Sequence, residues 1–320
     1  MNETRMFADE VASGIMKYFP EDRQVHCRVV EVKKNNNVNR VAITFHEAGD
    51  NIGPVIYMEP YREAAINGRP MNEIMGEIAE TVSRSMEQTQ HFEPMDYGDY
   101  ESVKDYLSVT LINGRDNRQM LSHMLYRQIE DLALILELKF PMAEGVGRVK
   151  VSHELVERWA VDTDVLFEQA ERNAMEAEPA SLQKIEDVLS LIGTDGMETE
   201  NLLDREELET KPTRLYVLSN RSKVRGAGVL SYPGVMEKVD RLFPEGFYIL
   251  PSSVHELLVV PKSPDLDPKG LGEMVREINR SEVAKEDQLS DRVYTYDRDA
   301  KTIRQVPESV KQKEAREAAR

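Results

Sequence analysis

Hydrophobic and polar positions follow two different periods along this chain, and the period changes from segment to segment. Apolar side chains recur every three or four residues over 4–18, which places them on one face of a helix. They alternate with polar ones in "VHCRVVEVK" and "NRVAITFH", as in half-buried strands, and the Asn-rich "KNNNVN" between them is typical of a tight turn. The chain is therefore predicted to open with an amphipathic helix and a β-hairpin.

Strands and helices of the same kinds continue to about residue 175. The predicted elements after the hairpin are a strand near "PVIYMEP", helices at 60–67 and 71–88, strands at 106–113 and 132–140, and a short strand at 148–151. The segment 132–140 is too apolar to be solvated, so it is a central strand or a buried helix, and we favour the strand. Ser152 and either Asp162 or Thr163 stand where N-caps are needed, which predicts two further helices.

Acidic residues dominate the next segment. Between residues 176 and 209 there are eleven acidic side chains against two basic ones. We expect one helix at about 180–191 and then an acidic, Gly-containing linker. Residues 212–307 return to alternating strands and helices and end in the hairpin "RVYTYDRDAKTIRQV", and 308–320 form a charged tail with almost no large apolar side chain.

These patterns predict an α+β protein with mixed antiparallel sheets and packed helices. Two α/β parts, an N-terminal one at 1–175 and a C-terminal one at 212–307, would be joined by the acidic helix and linker at 176–211. A chain of 320 residues is long enough for two such parts with substantial cores.

Charge narrows the classes of partner. The chain has 41 basic and 58 acidic residues and a formal net charge of −17, so its surface repels nucleic-acid backbones and anionic lipid. We therefore expect no nucleic-acid partner. Imitation of nucleic acid by an extended acidic face is the alternative use of such a charge.

Cysteine content and hydropathy indicate the compartment. Cys27 is the only cysteine, so an intramolecular disulfide is excluded and a reducing cytoplasm is favoured. Charged residues interrupt the first twenty positions, which excludes a secretory signal peptide, and no run approaches the roughly 18 apolar residues that cross a membrane. The sequence predicts a cytoplasmic protein without a membrane partner.

Motifs for metals and nucleotides are all incomplete. Three His-Glu dipeptides occur, but neighbouring side chains point in different directions, and Glu157 stands where a zinc-protease motif from His153 needs its second histidine. Lys269 and Arg276 occupy ligand positions of a calcium-like loop, and "GVG" at 145–147 lacks the third glycine of a dinucleotide loop. We therefore predict no metal and no cofactor.

The stretch "FYILPSSVHELLVVP" is the one that most suggests catalysis. Ser253 and His255 are two residues apart and share a face on a strand, so Ser253, His255 and Glu256 would form a hydrolase-like cluster in which Asp291 or Asp297 orients the imidazole. A Gly-x-Ser-x-Gly elbow is absent. The favoured alternative is a turn between two strands, in which the serine hydroxyls satisfy backbone groups.

A second candidate lies in "LSDRVYTYDRD". Tyr294 and Tyr296 alternate along a predicted strand and share one face, and Asp297 follows them. An exposed strip of this kind is typical of a surface that binds another protein. Packing within a half-buried sheet explains the same alternation and is the more common arrangement.

The ordered run "LYVLSN", "GAGVLSYPGVMEKV", "FYILPSSVHELLVVP" and "LSDRVYTYDRD", with "SHELVERWAVDTDVLFEQAERN" upstream, resembles the bacterial family named domain of unknown function 5688. The resemblance extends from the "PVIYMEPYREAAINGR" region to about residue 300. It implies no activity and no catalytic residues, because the family has none assigned.

The order of elements in 1–175 is also similar to the small α+β fold of secretion chaperones, an analogy of fold that favours binding over catalysis. We therefore predict a non-enzymatic protein-interaction module whose partner is another protein. The alternative is a hydrolase-like enzyme that uses the Ser/His/carboxylate cluster near residues 252–256.

Overall fold

The chain forms two compact units, residues 1–95 with 139–148 and residues 96–138 with 149–320. The computed structural model describes residues 3–20, 23–47, 53–89, 96–141, 146–190, 200–208 and 215–307. The charged tail and part of the acidic linker therefore lie outside the described residues. The predicted domain boundaries at residues 175 and 212 stay predictions.

The first unit places helices on a three-stranded antiparallel sheet. Its main elements are α1 (Glu3–Gly14), β1 (Val25–Lys33), β2 (Asn39–Glu47), β3 (Val55–Tyr57), α2 (Glu59–Ile66) and α3 (Met71–Thr89). The sheet order is β1-β2-β3, and Asn36 and Asn37 between the first two strands have positive φ, which Asn tolerates better than most residues. The predicted helix, hairpin and third strand are confirmed.

The core of the first unit lies between α1, α3 and one face of this sheet. Its buried side chains include Phe7, Val11, Ile43, Phe45, Ile74, Ile78 and Val82. They come from the apolar positions that recur with helical spacing in α1 and α3 and alternate in β2. Each contributes about 1.5–3 kcal/mol by leaving water, so this cluster is the main source of stability in the unit.

The second unit contains two antiparallel sheets. The strands of the first are β4 (Leu107–Asn113), β5 (Tyr126–Ile129) and β6 (Leu132–Pro141), followed by β7 (Val146–Lys150). The end of β6 and most of β7 lie within residues 139–148, which belong to the first unit. β6 pairs with β4 on one side and β5 on the other, and residues 132–138 are all buried. The apolar segment is therefore a central strand, as predicted, because a strand covered on both faces needs no alternation.

Four helices accompany this sheet. They are α4 (Tyr100–Val103), α5 (Arg118–Leu121), α6 (His153–Trp159) and α7 (Thr163–Ala177). Ser152 Oγ accepts a hydrogen bond from Leu155 N at 3.3 Å, and Asp162 Oδ1 accepts one from Asp164 N at 2.9 Å. Both predicted N-caps are confirmed, and each satisfies a backbone N–H that the helix cannot pair internally.

The other sheet has six strands in the order β13-β12-β10-β11-β9-β8. These strands are β8 (Ala180–Lys184), β9 (Tyr216–Asn220), β10 (Phe247–Leu250), β11 (Leu257–Pro261), β12 (Tyr294–Asp297) and β13 (Thr302–Gln305). The helices along this part are α8 (Ile185–Ser190), α9 (Val235–Leu242) and α10 (Pro268–Ser281). α10 packs on the sheet through Leu271 and Val275, which meet Val293. Antiparallel sheets with packed helices confirm the predicted α+β class.

One predicted helix is wrong in its first half. The segment 180–191 begins as β8, and only α8 is helical. Leu182 is fully buried and pairs with Leu218 of β9. Sheet pairing and burial decide the conformation here, because local helix propensity is weak beside tertiary contacts.

Candidate functional site

The six-stranded sheet ends at β8 on one side, and the side chain of Asn201 binds to that edge. Asn201 Oδ1 accepts from Leu182 N at 3.0 Å, and Asn201 Nδ2 donates to Ala180 O at 3.1 Å. Leu202 and Leu203 follow and are buried. The Asn201 amide thus makes the two hydrogen bonds that a neighbouring strand would make to this part of β8.

The opposite side of the sheet ends at β13, beyond which no described strand lies. Val306 N donates to Val293 O at 2.8 Å. This bond fixes which residues of β13 direct their backbone N–H and C=O groups towards β12. Inward and outward residues alternate in an antiparallel pair, so Ile303 and Gln305 direct their N–H and C=O groups away from β12. We call these outward backbone groups of Ile303 and Gln305 the open edge.

A cleft of about 260 Å³, which we call the α10 cleft, borders the open edge. Its walls are the first turns of α10, the residues just before β12 and the residues that end β13. Gln305 therefore belongs to both the open edge and the cleft, and Val293 and Val306 supply apolar surface. Lys269, Arg276 and Arg292 bring three positive charges to the lining, and two aspartates bring negative ones.

Both acidic side chains of the cleft are engaged in local structure. Asp267 is the N-cap of α10, and its Oδ1 accepts from Lys269 N at 3.1 Å. Asp291 Oδ1 accepts from Asn279 Nδ2 at 2.8 Å. Each carboxylate thus has a hydrogen-bond donor among its own neighbours in the fold.

Arg276 is the cationic residue of the cleft that has no ion-pair partner among the described residues. The side chain is half-buried next to Gly272, where an added Cβ would lie 3.7 Å from Arg276 Nη1. Within the part of the chain that the structure describes, no acidic side chain pairs with Arg276. Its guanidinium therefore lines the cleft with its hydrogen-bond donors unused by the described residues.

Tyr294, predicted to bind, is instead fully buried and joins a cluster around Asp131. Its hydroxyl donates to the Asp131 carboxylate, which also lies 3.3 Å from Arg292 Nε and 3.5 Å from Arg115 Nε. Burial and then the Asp131 charge raise the pKa of Tyr294 above its ordinary value of 10.0. The phenol thus stays a hydrogen-bond donor that fastens β12 to the β5–β6 turn. A role of Tyr294 in binding stays a prediction.

The other two residues of the predicted strip also have structural contacts. The ring of Tyr296 stacks on Phe247, with centroids 6.2 Å apart and planes at 16°. Asp297 Oδ1 accepts from the backbone N–H groups of Asp299 at 3.1 Å and Ala300 at 3.0 Å, which closes the β12–β13 turn. The hairpin that carries the open edge depends on these contacts, and binding through Tyr296 and Asp297 stays a prediction.

The predicted catalytic residues Ser253, His255 and Glu256 lie between β10 and β11. Ser252 and Ser253 are buried, and Ser253 Oγ accepts from His255 N at 3.0 Å. Leu289 N donates to Ser252 O at 3.1 Å, which ties the segment to the chain before β12. The two strands and the turn between them are as the sequence predicts.

The imidazole of His255 faces groups that come from other parts of the chain. Its Nδ1 accepts from Arg225 N at 3.3 Å, so in the neutral ring the proton is on Nε2, which lies 3.6 Å from Asp287 Oδ1. Sequence reasoning placed Asp291 or Asp297 beside this ring, whereas the fold brings Asp287. Both ring nitrogens therefore have neighbours other than a serine hydroxyl, and the catalytic role stays a prediction.

The loop that contains Arg225 packs closely on this turn. A Cβ on Gly226 would lie 2.7 Å from His255 O, so only glycine fits there. Arg225 has a φ of 53° and places Nη1 3.1 Å from Oε1 of the buried Glu137, which also accepts from Thr110 Oγ1 at 2.9 Å. No motif reveals this ion pair, because its partners are 88 residues apart.

The family model described as "Family of unknown function (DUF5688)" matches residues 4–298, which is most of the chain. The chain belongs to this family. The sequence resemblance to DUF5688 is thereby confirmed. Neither a curated protein nor a solved structure matches the DUF5688 chain. The DUF5688 match includes Arg276 and Arg292 and ends before β13.

No helix among the described residues of this DUF5688 protein combines the length and apolar character needed to cross a membrane. No described cluster of three or more His, Cys, Asp or Glu side chains has an arrangement that could hold a metal ion.

Proposed function

We propose that this DUF5688 protein is a non-enzymatic interaction module that holds an extended segment of another protein along β13. The segment would add a strand to the six-stranded sheet and would hydrogen-bond to the backbone of Ile303 and Gln305. The observation that carries the proposal is the contrast between the two edges of the sheet. Asn201 occupies the β8 edge, whereas the β13 edge ends the sheet within the described residues.

The surroundings of β13 favour strand addition. Unpaired backbone groups of an edge strand are a template for another chain. Tyr294 and Asp297 hold the β12–β13 hairpin in place through Asp131 and the turn backbone. A template that is already ordered lowers the entropy cost of binding, because only the added segment has to be immobilised.

The turn that contains His255 supports binding over the hydrolase alternative. A serine hydrolase needs the imidazole to take the proton of a serine hydroxyl. His255 Nδ1 instead accepts a backbone N–H, and Ser253 Oγ accepts the backbone N–H of His255. These contacts are the ones that a structural turn makes, so we assign the function to the open edge.

Selection of binders from a random library of linear peptides against the full chain tests this proposal. Gln305→Pro is the decisive variant, because it removes only an outward N–H of β13, while Val306 N makes the inward bond. Proline is tolerated on edge strands where its position needs no ladder donor. Gln305→Ala is the matched control, since it shortens the same side chain and keeps the N–H.

We expect enriched peptides with alternating apolar residues. By fluorescence anisotropy, such a peptide should bind Gln305→Ala within about twofold of wild type and Gln305→Pro at least about tenfold more weakly, a difference of roughly 1.4 kcal/mol. Thermal unfolding of both variants checks that the fold is retained. Equal binding to the two variants, or no enrichment at all, would refute the proposal.

A further inference from the structure

The α10 cleft determines what the added segment contains. We infer that it is a carboxylate-binding subsite, in which Arg276 binds an Asp or Glu side chain of the segment held at β13. This inference rests on the proposed function and adds the chemistry by which one segment is preferred over another.

Position is the first argument, because the cleft and the open edge share Gln305. Side chains of an added strand alternate between the two faces of the sheet. A residue opposite Val306 would point to the face on which Val293 and Val306 pack against α10. That face leads into the cleft that Arg276 lines.

Charge is the second argument. Arg292 Nε lies 3.3 Å from Asp131, and Lys269 Nζ lies 3.9 Å from Glu273. Asp267 and Asp291 each accept a hydrogen bond from a neighbour. Arg276 is thus the charged group of the cleft without a described partner. A guanidinium can donate two parallel hydrogen bonds to a carboxylate, which makes an acidic side chain the matching ligand.

The charge of the whole chain sharpens this selectivity. The formal net charge is −17, so most of the surface repels an acidic segment. The cleft has three cationic and two acidic side chains in its lining. Repulsion elsewhere and attraction here would fix the register of the segment on β13, because electrostatic complementarity gives specificity more than affinity.

Space is the third argument. The cleft volume of about 260 Å³ accommodates one acidic side chain and its hydration. Gly272 is buried and contributes no side chain, which leaves room for the Arg276 guanidinium along the helix.

The test uses a fluorescein-labelled peptide from the selection that contains one Glu, and its counterpart with Gln at that position. Wild type should bind the Glu peptide about tenfold more tightly, and the preference should shrink as salt rises. Arg276→Gln should bind both peptides within about twofold of each other. Arg280→Gln is the matched control, because it makes the same charge change on the exposed side of α10 and should keep the tenfold preference.

The outcomes separate this inference from the proposed function. Enriched peptides without an acidic residue, or a preference that survives in Arg276→Gln, would overturn the carboxylate subsite while the Gln305→Pro result still supports strand addition. A preference lost equally in Arg276→Gln and Arg280→Gln would also overturn it, because general charge would then explain the effect. Loss in Arg276→Gln alone supports it.

Discussion

The two edges of the six-stranded sheet offer the same backbone groups to two different surroundings. At β8, the Asn201 side chain makes hydrogen bonds of 3.0 and 3.1 Å to Leu182 and Ala180. At β13, the outward backbone groups belong to Ile303 and Gln305, and Gln305 also lines a cleft that contains Arg276. A single side-chain amide can bind the backbone groups of part of an edge strand. The two edges therefore differ in the residues that lie next to them and not in their own backbone.

The largest expected effect comes from uncovering the occupied edge. Asn201→Ala removes both hydrogen bonds to β8 and leaves its N–H and C=O without their partner, which should lower the free energy of unfolding by about 2 kcal/mol. Urea denaturation measures the change. Asp204→Ala, an exposed position in the same turn, should change stability by less than about 0.5 kcal/mol. Similar losses in both variants would mean that the turn matters and the amide does not.

The next effect concerns the hydrogen bond between Tyr294 and Asp131, which holds β12 beside the open edge. Tyr294→Phe removes the hydroxyl bonded to Asp131 and should destabilise the protein by about 1.5 kcal/mol at pH 7, because the half-buried carboxylate loses a donor. Tyr296→Phe, on the same strand, keeps its ring on Phe247 and should cost less than about 0.5 kcal/mol. Denaturant unfolding measures the stability of both variants. Equal losses of stability would contradict a stabilising role of the Tyr294–Asp131 hydrogen bond.

The same variant has a defined pH dependence. The pKa of Tyr294 is raised above 10.0 by burial and by Asp131. The Tyr294 hydroxyl therefore loses its proton at a lower pH in the unfolded chain than in the folded one. Its contribution to the free energy of unfolding is complete below pH 10 and is lost as the pH rises further. The stability difference between wild type and Tyr294→Phe should therefore shrink above pH 10. A constant difference would show that the phenol titrates normally.

The β12–β13 turn has a smaller expected effect. Asp297→Ala removes the acceptor of two backbone N–H groups and should cost about 1 kcal/mol, because both donors turn to water in an exposed hairpin. It should also weaken peptide binding at the open edge, since the turn that orders the β12–β13 hairpin loses its acceptor. Asp299→Ala is the exposed control in the same turn. Unchanged binding by Asp297→Ala would show that β13 is held by its ladder alone.

Local patterns were sufficient for much of the fold. The β1–β2 hairpin, the strand β6 and the N-caps Ser152 and Asp162 follow from periodicity and turn chemistry, which act over a few residues. The strand β8 was missed, because its pairing with β9 depends on residues that are distant in the sequence, 38 positions in the Ser181–Ser219 pair. Sequence spacing does not report such contacts.

The candidate site was harder to predict than the fold. The residue types typical of active sites drew attention to Ser253 and His255, and the fold gives both of them backbone partners. Arg276 entered the sequence analysis only as a mismatch to a calcium loop. Its proposed role depends on the α10 cleft and on the hydrogen bonds that Asp267 and Asp291 make to their neighbours. Both features arise only in the tertiary structure.

The smallest expected effect on stability comes from His255, whose turn lies outside the peptide-binding edge that we propose. His255→Ala removes the acceptor of Arg225 N, but the side chain is 37% exposed and water can replace it, so the loss should be about 0.5 kcal/mol. His123→Ala, an exposed position, should be neutral. Peptide binding to the open edge should be unchanged in both variants by anisotropy. A stable His255→Ala protein that had lost a measurable hydrolytic activity would revive the catalytic alternative, because the ring would then act in chemistry instead of packing.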